Sequence, residues 1–242
     1  MKKQIVYYGH SANKSSELVG YAPEPLLKNC KELFASNKTD VLLQCYAITE
    51  EMKNTFVIRA PFDLDISFSG PEKGFVINNM HLPQQEFNSM LQSTPDIVRN
   101  IFVHEALQLF LGFSFHFFSE KPLKMSTLPA HYHETGVSAI PYITGSYDIS
   151  KWFRPVNACY LNYSKKDMRI KRGDALFYVK FDADQQVELQ PFKMTDDLVV
   201  ISEGNTDIVR YKKRTPLRDL YAMFSENRLN KKVLQKIQEQ LL

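Results

Sequence analysis

Glycine is scarce in this chain, nine residues among 242. None of the nine stands in a Walker or dinucleotide-binding spacing, which excludes the loops that cradle phosphates. There is no Gly-x-Ser-x-Gly elbow to present a hydrolase nucleophile. Cysteine is limited to Cys30, Cys45 and Cys159. An odd number, far apart, fits free thiols in a reducing compartment and not a disulfide framework. No uninterrupted apolar run approaches the ~18 residues that cross a bilayer, and Met1 to His10 lacks the apolar region of a secretory signal. Internal repeats and low-complexity tracts are missing as well. What the chain has in abundance is aromatic: 17 Phe and 12 Tyr beside one Trp, within a composition that is 44% hydrophobic. That is too apolar for disorder and enough for a sizeable core. The expectation is a cytoplasmic protein with no membrane association.

Periodicity organises the rest. Pro23-Glu24-Pro25 opens a segment in which Leu26, Leu27, Cys30, Leu33 and Phe34 recur at helical spacing, predicting a helix over 24–36. The period then changes to two. Phe62, Leu64, Ile66 and Phe68 alternate with Asp63, Asp65, Ser67 and Ser69, and Gly70 to Gly74 reads as a turn into Phe75-Val76-Ile77. A long strand is predicted over 107–117, with its odd positions all apolar. Further strands are predicted over 123–128, 158–163, 175–181, 187–190 and 198–201. Helix returns at the C-terminus, where Thr215-Pro216 reads as a cap before Leu217, Leu220, Tyr221 and Phe224. A second stripe follows at Val233, Leu234, Ile237 and Leu241. The predicted class is therefore mainly β (α+β): an antiparallel β-sandwich or barrel-like body, of jelly-roll or cupin type, with an N-terminal helix and a C-terminal helical pair. Residues 1–214 are read as one aromatic-rich β domain, and 215–242 as a helical extension packing on it or on a partner.

The sharpest chemical candidate is His131-Tyr132-His133-Glu134. On a strand, residues two apart share a face, so both imidazoles can reach one divalent transition metal, with Glu134 as third ligand or general base. The His-x-His run and Lys171-Arg172-Gly173-Asp174 resemble parts of a cupin site. A cupin normally adds a histidine downstream, however, and all six histidines here lie at or before position 133, so His116 or His104 would have to be recruited. The plainer reading is a polar loop over 129–136 and no cofactor. Each cysteine falls in a periodic segment, Cys45 and Cys159 in strand-like ones, which favours buried structural thiols. The paired acids Asp63/Asp65 and Asp196/Asp197 could flank a sugar or bind calcium, but Asp63 and Asp65 fall on the solvated face of an alternating strand, which is the simpler explanation there.

Charge divides unevenly, net −3 over residues 1–150 and +6 over 151–242. Tyr160, Tyr163, Tyr178 and Tyr211 lie among the basic clusters Lys165, Lys166, Arg169, Lys171, Arg172 and Arg210, Lys212, Lys213, Arg214. Aromatic rings beside cations are how β-sheet modules hold single-stranded nucleic acid, which makes that partner an alternative. Trp152-Phe153-Arg154 combines the only Trp with an Arg, residue types over-represented in binding hot spots, although a strand entry anchored in the core is the simpler reading. Trp152, Phe153, Arg154, Tyr178 and Arg172 are the binding candidates.

Three stretches carry a family resemblance: Lys121-Pro122-Leu123 through Leu128-Pro129-Ala130-His131-Tyr132-His133-Glu134, then Gly145 to Pro155, then Lys171 to Phe181. Over about residues 56–181 the chain resembles conserved, uncharacterised proteins of large tailed bacteriophages, marine ones in particular. The resemblance implies a phage origin and a place in the infected bacterial cytoplasm or the virion, and it implies no reaction. No complete catalytic set is legible, so the leading expectation is a non-enzymatic binding, assembly or host-interaction module acting through a protein partner or self-association. A cupin-like metal enzyme and a single-strand nucleic-acid binder are the alternatives.

Overall fold

The computed structural model describes residues 3–10, 21–35, 41–61, 63–68, 75–80, 98–103, 106–163, 166–211 and 216–242. The expected turn at 70–74, His81, His104, Lys165, the basic run 212–214 and Thr215 lie outside them. The first strands are β1 (Gln4–His10), β2 (Glu24–Pro25), β3 (Thr55–Arg59), β4 (Leu64–Phe68) and β5 (Phe75–Met80). Next come β6 (Val98–Val103), β7 (Ala106–Phe118), β8 (Lys124–Pro129) and β9 (Gly145–Asp148). The last are β10 (Pro155–Asn162), β11 (Met168–Ile170), β12 (Ala175–Phe181) and β13 (Val187–Pro191). Helices α1 (Leu26–Ala35), α2 (Val41–Gln44) and α3 (Tyr46–Glu51) fall near the start of the chain. Helices α4 (Asp196–Tyr211), α5 (Leu217–Glu226) and α6 (Leu229–Gln238) close it.

The strands form three sheets. One runs β10-β7-β1-β13, with β6 also paired to β7; a second runs β2-β3-β12-β8-β9; the third is β11-β4-β5. The pairings are antiparallel except β1 with β13, which is parallel from Gln4 opposite Val187 to Tyr8 opposite Pro191. Among the described residues no sheet closes on itself, so they show open sheets and not the barrel form of the expectation.

Strand alternation assigns side chains to three apolar clusters. On β7, Phe115 and Phe117 enter the first cluster, while Phe118 enters the second and His116 lies buried against the Phe153 ring, 5.0 Å between centres. On β12, Phe177, Val179 and Phe181 enter the first, and Tyr178 and Ala175 the third; a register shift between Ala175 and Phe177 sets the phase. The first cluster thus draws on β1, β7 and β10 of one sheet and β3, β8 and β12 of another, joined by Leu64, Ile66, Met168 and Ile170 of the small sheet. Each large side chain removed from water there stabilises the fold by roughly 1.5–3 kcal/mol.

Helices cover the outer faces. Leu26 and Cys30 of α1 lie in the third cluster with Val57 and Tyr178. The C-terminal stripes are spent on the body itself: Leu220, Phe224, Val233 and Ile237 pack with Tyr7, Phe118, Trp152 and Phe153. Three corrections to the sequence reading follow. The predicted strand at 198–201 is the first turns of α4, where Leu198, Ser202 and Asn205 share the buried face and Val200 points outward. The β-branched run Val199-Val200-Ile201 argued for strand, but acidic Asp196 and Asp197 suit a helix start, and burial at i, i+4 and i+7 needs the helical period. Helix 24–36 begins two residues late because Glu24 and Pro25 pair with β3. Cys45 is exposed at the start of α3 and not in a strand.

Candidate functional site

The segment after β8 is a turn. His131 to His133 is not extended, so the two imidazoles do not share a strand face. They separate. His131 is exposed, its Nδ1 3.0 Å from the Pro129 carbonyl. His133 turns inward and uses both nitrogens.

Stereochemistry fixes the direction of every bond around it. Asn29 on α1 donates its amide to Glu24 Oε2 at 2.8 Å, leaving its Oδ1 to accept. His133 Nε2 lies 2.6 Å from that oxygen and must carry the proton. Nδ1 is then the acceptor for the Tyr178 hydroxyl at 2.7 Å, and that oxygen in turn accepts the Tyr132 N–H at 3.1 Å. At the other end Arg59 reaches Glu24 at 3.3 Å and the Gly173 carbonyl at 2.8 Å. One chain of bonds therefore ties the 129–135 turn, β12, α1, β2 and β3 together. Burial, with Arg59 and His131 adding to it against Glu24, pushes the His133 pKa down to about 4, so the ring is neutral near pH 7. Burial likewise raises the Tyr178 hydroxyl and lifts the Cys30 thiol to about 11, which keeps both protonated near pH 7.

Glu134 is exposed beyond the turn. His116, the histidine nearest in expectation to complete a metal shell, is in another cluster, its Nε2 2.7 Å from Ser202 Oγ. Among the described residues no group of three or more His, Cys, Asp and Glu side chains is placed to hold a metal. Beside the turn lies a cavity of about 70 Å³ lined by Ala130, His131, Thr135, Tyr142, Tyr160 and Leu176 among others. It has room for water but is far below the ~300 Å³ of an ordinary ligand pocket. Gly136 follows in the same turn: a Cβ there would stand 1.6 Å from the Arg169 carbonyl oxygen, so only glycine lets the turn lie against β11.

The other candidates are scattered. Trp152 and Phe153 are buried in the second cluster, where Asn205 of α4 also donates to the Phe153 carbonyl at 2.8 Å. Tyr178 is fully buried, as is Tyr160, whose hydroxyl donates to the Leu176 carbonyl at 2.6 Å; neither offers a ring to a base. Tyr163 is exposed. Arg172 is exposed with its guanidinium 6.0 Å from the Tyr21 ring centre, and its backbone N–H donates to Asp63. Asp65 pairs with Arg169 and Asp197 with Lys236, so one member of each acid pair is held in an ion pair. Arg154 is half-buried over the Tyr147 ring at 5.0 Å.

Sequence reasoning missed Asn29, Glu24 and Arg59, which decide the state of His133. It also missed α2 and α3, where Val41 is 75% and Tyr46 76% exposed, with Leu42 and the free Cys45 between them. No helix among the described residues is long and apolar enough to cross a membrane. Comparison of the chain with family models, curated proteins and solved structures finds no match.

Proposed function

We propose that this chain is a non-enzymatic protein-binding module: a β-sandwich faced by helices, acting through the apolar surface of α2 and α3. The observation that carries the reading is the exposure of Val41, Leu42 and Tyr46 together on two adjoining short helices. Large apolar side chains leave water only by meeting another surface, and these three meet none among the described residues. Support comes also from the fate of the polar candidates. His133, Tyr178, Asn29 and Glu24 bond to one another, so this cluster is engaged internally and not turned to a substrate. The resemblance to tailed-phage proteins supports action in an infected bacterial cytoplasm or in a virion.

Cys45 provides the test, because it is exposed inside the patch while Cys30 and Cys159 are buried. A photo-crosslinker attached to Cys45 is expected to give a defined adduct, either with a second copy or with another protein of the infected cell. The adduct should vanish in Val41→Asp/Tyr46→Asp. A chain that stays monomeric in light scattering across concentrations and yields no adduct overturns the proposal, as does an adduct that survives both substitutions.

A further inference from the structure

Four buried polar atoms without a hydrogen-bond partner among the described residues belong to neighbouring side chains: Tyr147 Oη, Trp152 Nε1, Arg154 Nε and Tyr221 Oη. The Arg154 guanidinium carbon lies 5.0 Å from the Tyr147 ring centre, and the Trp152 and Tyr221 rings are 5.7 Å apart. Tyr147 is influenced by both Arg154 and Tyr221, and Tyr221 by Arg154, which closes the group.

What the four have in common is that they give hydrogens. Indole and guanidinium nitrogens donate and never accept. Burial pushes the Tyr147 hydroxyl up to about 12 and raises Tyr221 too, so both stay protonated. The Arg154 guanidinium and the Asp148 backbone approach the two phenol oxygens without forming hydrogen bonds of normal geometry, and each phenol would keep its own hydrogen to donate even if they did. Among the described residues the acidic acceptor near the group is Asp148, which acts on Tyr221 by its charge but does not hydrogen-bond it. Asp148 has its carboxylate engaged by the Leu123 N–H, by Ser150 and by Lys151 at 3.2 Å. Arg154 enters no ion pair among the described residues. Buried donors left unpaired are costly, and a cation among them sets the sign of what satisfies them. Tyr147, Arg154 and Tyr221 are each only half-buried, so other parts of these side chains meet solvent while the four donor atoms lie just beneath it.

We propose that Tyr147, Trp152, Arg154 and Tyr221 form a binding site for a small oxyanion, a carboxylate or a phosphate, whose oxygens accept from these four groups. An acceptor-rich anion can meet a guanidinium, an indole N–H and two phenols at once, and unlike water it also answers the positive charge of Arg154. The site is separate from the α2–α3 surface and uses different elements.

Trp152 is the only tryptophan, so its emission reports on the site directly. Full-length protein is titrated with sodium phosphate and, separately, sodium acetate, against sodium chloride at constant ionic strength, with emission and melting temperature recorded together. The expected result is a saturable change with phosphate or acetate and none with chloride; the anion that saturates at lower concentration names the class. Arg154→Lys keeps charge but loses the fork, and should weaken binding about tenfold or more. Tyr147→Phe/Tyr221→Phe keeps both rings and should weaken it several-fold, which covers the case where an Arg154 variant fails to fold. A response equal to that of chloride, no saturation in either readout, or unchanged saturation in folded variants overturns the proposal and leaves the four donors to water.

Discussion

Acid should loosen this fold through His133, and the amount can be worked from its surroundings. The ring is neutral in the folded chain, with a pKa of about 4 against an ordinary 6.5. Above pH 6.5 it is neutral whether the chain is folded or not, so it contributes no pH dependence there. Between 6.5 and about 4 the unfolded chain takes up a proton that the folded ring refuses, and stability falls with pH across that window. A full difference of that size corresponds to at most about 3.4 kcal/mol. The ring is only half-buried, and solvent screening reduces the effect to about 1–2 kcal/mol. Burial is the main cause, and the hydrogen-bond geometry is consistent with it. Protonating Nδ1 turns the acceptor of the Tyr178 hydroxyl into a second donor, with Arg59 already near. Urea unfolding of wild type and His133→Gln at pH 7.5 and pH 4.5 isolates the effect. His10, also held down to about 4 by burial, and the carboxylates titrate in both proteins and cancel. Wild type should lose about 1–2 kcal/mol more than the variant over that interval. Equal losses would refute the assigned tautomer and the hydrogen-bond chain built on it.

Three further outcomes are expected. Tyr178→Phe leaves the Tyr132 N–H and His133 Nδ1 without partners and should cost about 2–3 kcal/mol in urea unfolding, with the sheet intact by circular dichroism. Gly136→Ala should lower the melting temperature by several degrees or abolish soluble expression, because the new methyl meets backbone and not a movable side chain; a melt superimposable on wild type would show that the turn does not rest on β11. Trp152→Ala should cost about 3–5 kcal/mol and speed amide exchange in α5 and α6 more than in β12, since Trp152 packs on Tyr221 and Phe224. Uniform acceleration throughout would mean that the helices do not depend on that ring.

Much of the sheet was legible because its signal is local. The odd positions of β7 and the apolar run of β12 announce strands whose neighbours need not be known. Helix α4 was misread for the same reason: three β-branched residues dominate a short window, and the face they do not share is buried against Phe153 and His116, far off in sequence. The candidate site was less legible still. His131-Tyr132-His133 shows imidazoles two apart, but whether they face one point depends on the local backbone. The tautomer of His133 is set by Asn29, 104 positions away, which no spacing rule connects to it. Trp152 and Arg154 stood out by residue type. Their unpaired donors become a group only because α5 places Tyr221 beside Trp152.

The parallel pairing of β1 with β13 has a consequence for how the chain is made. Its first strand lies between β7 and a strand that begins at Val187. Beyond β13, the Leu242 N–H donates to the Pro191 carbonyl and the Lys193 N–H to the Gln240 carbonyl, so the C-terminal end also fastens there. Until residues 187–191 have been made, Ile5 and Val6 lack the strand they pair with, and Tyr7 has only Phe118 of β7. Contacts so distant in sequence make for slow closure. Through that interval an apolar strand edge waits exposed, and its protection falls to the cell and not to the fold.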